Sequence, residues 1–448
     1  MQKTALIIIS LSSFLTPFTL SSVNVALPTI GREFAVDAIT LNWIATAYLL
    51  SSAMFLVPFG RLADIKGRKR VFTVGIALFT LGSTLAGLSN SAEMIIMFRV
   101  LQGLGGGMVF ATGVAILTSI FPLYERGKIL GINVASVYTG LSLGPFLGGI
   151  LTQHFGWRSV FLIILPLGII IVLLSLIKLK TEWADAKGER FDFIGSVLYS
   201  MMLVSTMIGV SESSLLLISV GIGLLIIFVV HEGRISYPIM DIGLFRRNPT
   251  FALSNMSALL NYSATFAITF LLSLYLQYIK DLSPQHAGMI LVAQPIVMAM
   301  FSPLAGWISD RVEPRVVASV GMSIIAIGLF IFSWIEESTS VEVIVGNLVF
   351  IGVGFALFSS PNVNAIMSSV EKRFYGIASA TLATMRVVGQ MLSMAIVIVI
   401  FALYIGKIAI TPEVYESLIH STKVSFVIFS ILCLIGIFTS LARGRIRE

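Results

Sequence analysis

Long apolar runs fill this chain, and short polar or charged stretches separate them. Fourteen runs can be marked, at 5–28, 41–59, 71–88, 94–120, 129–152, 159–178, 193–211, 214–231, 251–279, 288–308, 316–334, 342–367, 377–404 and 424–442. A helix crosses a bilayer with roughly 17–25 apolar residues, so each run predicts one membrane-spanning helix. The expected fold class is an all-α membrane protein. The longest gaps are 178–192, 231–250 and 405–423, too short for a polar domain. The first run, Ala5 to Leu27, exceeds a signal-peptide core and lacks a small-residue cleavage site, so it reads as a permanent span.

Composition removes the soluble alternative. Only 11% of the 448 residues are charged and 57% are hydrophobic, whereas a soluble domain carries about 25% charge. The distribution of basic residues then sets an orientation. With the N-terminus inside, 22 of the 29 Lys and Arg fall in inside loops and tails. Five, Arg32, Arg158, Lys280, Lys407 and Lys423, fall outside. The expected localisation is the plasma membrane with both termini cytoplasmic. The net charge of +7 is thereby explained as topology, and no nucleic-acid partner is expected. The lone Cys433 excludes an intrachain disulfide, and His154, His231, His286 and His420 are too scattered for a Cys/His metal site. Neither a metal nor a cofactor is expected.

Two charged loops organise the chain. Gly60-Arg61-Leu62-Ala63-Asp64-Ile65-Lys66-Gly67-Arg68-Lys69-Arg70 is the densest run of charge, and a fainter copy returns 246 residues later as Gly306-Trp307-Ile308-Ser309-Asp310-Arg311. The same offset carries Glu125 onto Glu371. Spans 1–6 therefore match spans 9–14, a duplication of the kind transporters use. The expected division is residues 1–190 as one six-helix half, 191–250 as an inserted two-helix hairpin with linker, and 251–448 as the second half.

Several intramembrane residues carry candidate chemistry. Gly140, Gly144 and Gly148 recur every four residues on one helix face, which permits close approach of a neighbour, and Pro145 permits a kink. The run Gly103-Leu104-Gly105-Gly106-Gly107 lies within an apolar span and follows no strand, so it is not a nucleotide loop. Arg99 and Arg386 lie inside spans, where a charge is costly and by default functional. Gln102, Asn255, Asn261, Tyr262, Gln294, Asn347, Asn362, Asn364 and Gln390 add polar groups that either bind substrate or hold helices together.

These motifs resemble those of the major facilitator superfamily. Gly60 to Arg70 is similar to its loop G-x-L-A-D-x-x-G-R-K, and Arg99 to Gly107 to its R-x-x-Q-G-x-G motif. Gly140-Leu141-Ser142-Leu143-Gly144-Pro145-Phe146-Leu147-Gly148-Gly149 resembles its antiporter motif G-x-x-x-G-P-x-x-G-G. With Asn24-Val25-Ala26-Leu27-Pro28, Trp43, Tyr48 and fourteen spans, the chain is identified as a member of the fourteen-spanner drug:proton antiporter branch. The resemblance implies that Gly60, Asp64, Gly67 and Arg68, with Asp310 and Arg311, latch the two halves on the cytoplasmic side. It also implies that Gly140, Gly144, Pro145, Gly148 and Gly149 form a hinge between the halves in antiport. Arg99 and Arg386 are implied to line or flank the central cavity.

One departure weakens a cationic substrate. The family's first span carries a carboxylate where this chain has Thr19, and none of the 22 acidic residues falls mid-membrane. A cavity with arginines and no carboxylate suits anions or neutral solutes. Proton coupling would then fall to Glu93, a loop carboxylate or the substrate. The expected function is secondary transport of a small organic molecule by alternating access, of the drug or metabolite exporter type. The alternative is uptake of a neutral or anionic vitamin-like solute such as riboflavin. Candidate substrate or coupling residues are Arg99, Gln102, Thr19, Asn24, Tyr48, Asn261, Gln294, Asn362, Arg386 and Gln390. No catalytic residue is expected. The expected partners are the substrate, protons and the lipid bilayer, with the protein acting as a monomer.

Overall fold

The computed structural model describes residues 2–122, 125–371 and 375–444, without the side chains of 126–128. Of the basic residues counted above, Lys372, Arg373, Arg445 and Arg447, and the side chains of Arg126 and Lys128, lie outside the described residues. Fourteen helices are long and apolar enough to cross a membrane. Spans 1–6 are Gln2–Phe34, Ala38–Lys66, Arg68–Gly87, Ala92–Ile120, Ile129–Phe155 and Arg158–Lys178. Spans 7 and 8 are Phe193–Ser211 and Leu215–Glu232. Spans 9–14 are Pro249–Ile279, Pro284–Ser309, Pro314–Phe332, Val341–Ser368, Tyr375–Tyr404 and Pro412–Ala442.

Helix ends follow ordinary capping chemistry. Asp37, Ser91, Asp192, Ser214 and Asn248 each accept a backbone N–H from the first turn of the helix they precede. Two spans break where a proline removes the bond to the carbonyl four residues earlier. Span 6 breaks at Ile163, just after the carbonyl of Leu162 that Pro166 leaves unbonded. Span 10 breaks at Val292, just after the Leu291 carbonyl that Pro295 leaves unbonded. Span 9 instead ends in a π-helical turn, Tyr275–Ile279. Span 14 departs from the sequence expectation: its helix starts at Pro412, so much of the gap read at 405–423 is helical. That first part carries Glu416, His420 and Lys423, which hide a helix from an apolarity criterion.

The packing pattern repeats. Span 1 packs on span 5, span 2 on span 4, and span 3 on spans 4 and 6. The same pairs recur as 9 on 13, 10 on 12, and 11 on 12 and 14. The two groups of six meet through span 2 against span 13 and span 5 against span 10. Spans 7 and 8 pack on each other, and span 7 rests on spans 2 and 13. Large apolar side chains face outward, including Leu215 (79% exposed) and Phe438 (73% exposed), as a lipid-facing surface requires. The protein is a multi-pass membrane protein.

Candidate functional site

The loops after spans 2, 6 and 8 and the start of span 13 surround a cavity of about 740 Å³. It opens at the end of the bundle that carries most Lys and Arg, hereafter the basic face. Arg61, Asp64, Arg68, Asp185 and Asp241 line its mouth, and Leu56, Phe110, Ala111, Val114, Ala383 and Thr384 line its walls.

The loop after span 2 is braced by the loop after span 6. Gly67 has φ +119°, a backbone state that side-chain-bearing residues avoid, and a Cβ there would strike the Glu182 carboxylate. Glu182 in turn accepts the Lys69 N–H at 2.8 Å at the start of span 3, where a helix favours a negative charge. Arg68 sits 2.7 Å from both Asp64 and Asp185, and Arg61 pairs with Glu189. Among the described residues, Asp64 and Arg68 make no bond to spans 9–14. In the second copy Asp310 takes a long bond of 3.4 Å from Asn364, its only side-chain bond among the described residues, and Arg311 stacks on Trp307 at 3.9 Å.

Arg386 of span 13, just past the lining residues Ala383 and Thr384, lies over the ring of the cavity-wall residue Phe110 at 5.6 Å. It makes no hydrogen bond or ion pair with a described residue, and it is partly exposed. Gln390 lies one turn further along the same helix face. Tyr138 is close by within electrostatic reach of Arg386 and beside Tyr262. The Tyr138 hydroxyl bonds to Ser359, joining spans 5 and 12, and Tyr262 packs edge-on against Phe355 at 5.7 Å. A free guanidinium among aromatic rings offers charge and stacking to one ligand.

Arg99 is placed differently. Its guanidinium is fully buried between spans 4 and 2, bonded to the Ile44 carbonyl at 3.0 Å and the Gln102 side-chain oxygen at 2.7 Å. The Tyr48 ring covers it at 4.5 Å. Arg99, Gln102 and Tyr48 thus form one packed cluster that does not line the cavity. Thr19 bonds back to the Leu15 carbonyl at 2.9 Å. Asn261 is fully buried with neither amide atom bonded, and Gln294 lies on span 10, where its carbonyl faces Gly352. Asn362 bonds Arg443 of span 14's end at 2.7 Å, away from the cavity.

The opposite face is closed between spans 1 and 9. Ser273 donates to the Asn24 carbonyl (2.8 Å), Gln277 to the Val25 carbonyl (2.9 Å) and Tyr278 to the Pro28 carbonyl (3.2 Å). Arg32 donates to the Gln277 carbonyl at 2.6 Å and stacks on Tyr278. The π-turn places Gln277 and Tyr278 for these bonds; such turns recur at functional positions. Sequence reasoning missed this cluster, since nothing in periodicity marks a π-turn. Arg32, one of five basic residues expected outside, was its only trace.

Span 5 divides its small residues between two neighbours. A Cβ at Gly140, Gly144 or Gly148 would collide with Phe14, Phe18, Ser21 or Ser22 of span 1. Gly149 abuts Pro284 of span 10, and Gly288 of span 10 abuts the Pro145 carbonyl. The glycine stripe therefore packs span 5 within its own group of six, and Pro145 and Gly149 meet the other group.

Comparison with known proteins agrees with this architecture. The sequence profile of the Major Facilitator Superfamily matches residues 9–394 and again 254–447. Riboflavin transporter RibZ of Clostridioides difficile is 33% identical over 384 residues, 85% of this chain and 84% of that protein. Multidrug resistance protein Stp of Mycobacterium tuberculosis is 32% identical over 406 residues, 88% of this chain and 75% of that protein. A bacterial homologue of the human lysosomal transporter Spinster, solved in an inward-facing and unoccupied conformation, superposes with a TM-score of 0.72 at 14% identity, covering 99% of this chain and 96% of that one. With a cavity open at one face, a closed opposite face and no strand among the described residues, the chain belongs to the Major Facilitator Superfamily as a secondary transporter of its fourteen-span branch.

Proposed function

We propose that the protein moves a flat, aromatic, neutral or anionic organic solute of vitamin-like size, with riboflavin the first candidate. The observation that carries this reading is Arg386, an unpaired guanidinium over the cavity-wall residue Phe110 and within electrostatic reach of Tyr138, which has Tyr262 beside it. The acidic side chains of the spans, Asp64, Glu93, Glu232 and Glu342 among them, lie at helix ends, so no described carboxylate stands at that depth to hold a cation. The similarity to RibZ supports the same class. In this reading residues 1–190 and 251–448 rock about the site, 191–250 rides with them, and the basic face is cytoplasmic in the plasma membrane. The structure then corresponds to the cytoplasm-open state, in which the Asp64–Arg68 latch is released.

A second reading, export of cationic drugs against protons, draws on the similarity to Stp and on the Gly140–Gly149 motif. One assay separates the two. Proteoliposomes holding the purified chain are offered labelled riboflavin and ethidium, with and without an imposed proton gradient. The proposal expects saturable riboflavin movement and none of ethidium. Gradient-driven ethidium movement without riboflavin movement would favour the drug exporter instead.

A further inference from the structure

The two ends of the inserted hairpin converge on a cluster that the transport reading leaves unused. Asp192 caps the start of span 7, and His231 and Glu232 close span 8. Asp192 and Glu232 are buried, at 5% and 3% exposure, and His231 is partly open to solvent. One oxygen of each carboxylate is already engaged. Asp192 Oδ1 accepts the Gly195 N–H at 2.9 Å, and Glu232 Oε2 accepts the Met240 N–H at 2.8 Å.

The other two oxygens are turned toward each other. Asp192, His231 and Glu232 each offer one ligand atom, and these lie within 4.8 Å of one another. His231 Nε2 is 3.0 Å from Asp192 Oδ2. Glu232 Oε1 is buried with no hydrogen-bond partner. Gly195 makes the room: a Cβ there would strike both Asp192 Oδ2 and Glu232 Oε1.

Two carboxylate oxygens facing each other out of water need positive charge between them. One imidazole nitrogen and two carboxylate oxygens are a donor set that Zn²⁺ accepts, with a water completing four-coordination on the exposed His231 side. The Gly195 and Met240 N–H groups would orient the two carboxylates from behind. We propose that Asp192, His231 and Glu232 form a divalent-cation site of the Zn²⁺ class that ties both ends of the hairpin to the linker before span 9. The tie has a structural consequence, because Met240 and Asp241 of that linker border the cavity mouth. A bound ion fixes one side of the mouth. Sequence spacing concealed the site, since Asp192 and His231 are 39 residues apart.

The test is calorimetric titration of Zn²⁺ into the metal-stripped full chain in nanodiscs, beside His231→Ala, Glu232→Gln and Asp192→Asn. The expected result is one site per chain, weakened at least about tenfold in each variant, with saturating Zn²⁺ raising the melting temperature of the wild type only. His231→Ala removes no backbone partner, so it reads the site even if a carboxylate variant fails to fold. Absence of Zn²⁺ binding to the wild type, or equal binding to His231→Ala, would overturn the site and leave a proton shared between Asp192 and Glu232. The readout needs no transported substrate, so it stands or falls separately from the riboflavin reading.

Discussion

Arg386 and Arg99 are both arginines within spans, yet their surroundings differ. Arg99 bonds the Ile44 carbonyl through Nε and Gln102 through Nη1, keeps Nη2 buried without a partner, and lies under the Tyr48 ring. Arg386 spends no donor on a described residue. Arg99→Lys keeps the charge and loses the planar fork, so it should lower stability by about 1–3 kcal/mol, seen as a reduced melting temperature in detergent. Arg386→Gln should leave the melting temperature unchanged and weaken riboflavin binding roughly tenfold or more, the worth of a charge-assisted hydrogen bond. Equal stability losses in both variants would erase the distinction. The sequence marked both residues as costly intramembrane charges and had no means to separate them, because their partners come from other spans. Asn362 is a like case: it carries the same polar label in the sequence, and the structure bonds it to Arg443, 81 residues away.

At the scale of elements, apolar run length was enough to place all fourteen spans, because a bilayer imposes that length. Polar helix stayed hidden, as at the start of span 14, and so did the π-turn of span 9, whose register depends on contacts with span 1. The glycine spacing of span 5 announced a close helix neighbour without naming it. That neighbour is span 1, where a side chain at Gly144 would meet Ser21 and the Phe18 carbonyl. Gly144→Leu should therefore abolish accumulation of monodisperse protein in the membrane, through overpacking. Gly346→Leu should be tolerated, since nothing lies within 4 Å of a Cβ there. A Gly144→Leu protein that purifies like the wild type would show that the two helices can separate without harm.

For the whole molecule, the account rests on one asymmetry: a cavity open at the basic face and a seal of spans 1 and 9 at the other. In the proposed alternating-access cycle this seal opens, and the latch reading has the Asp64–Arg68 loop then engage spans 9–14. The most direct test is the accessibility of a thiol at the inner end of the cavity. Ala383→Cys places one on its wall, and the native Cys433 is buried and serves as a silent background. A membrane-impermeant maleimide is applied from either side of oriented vesicles, with and without riboflavin. The account predicts labelling from the basic face alone at rest, and riboflavin-dependent protection there with new labelling from the opposite face. Labelling from the opposite face at rest, or no response to riboflavin in a protein that transports it, would contradict it.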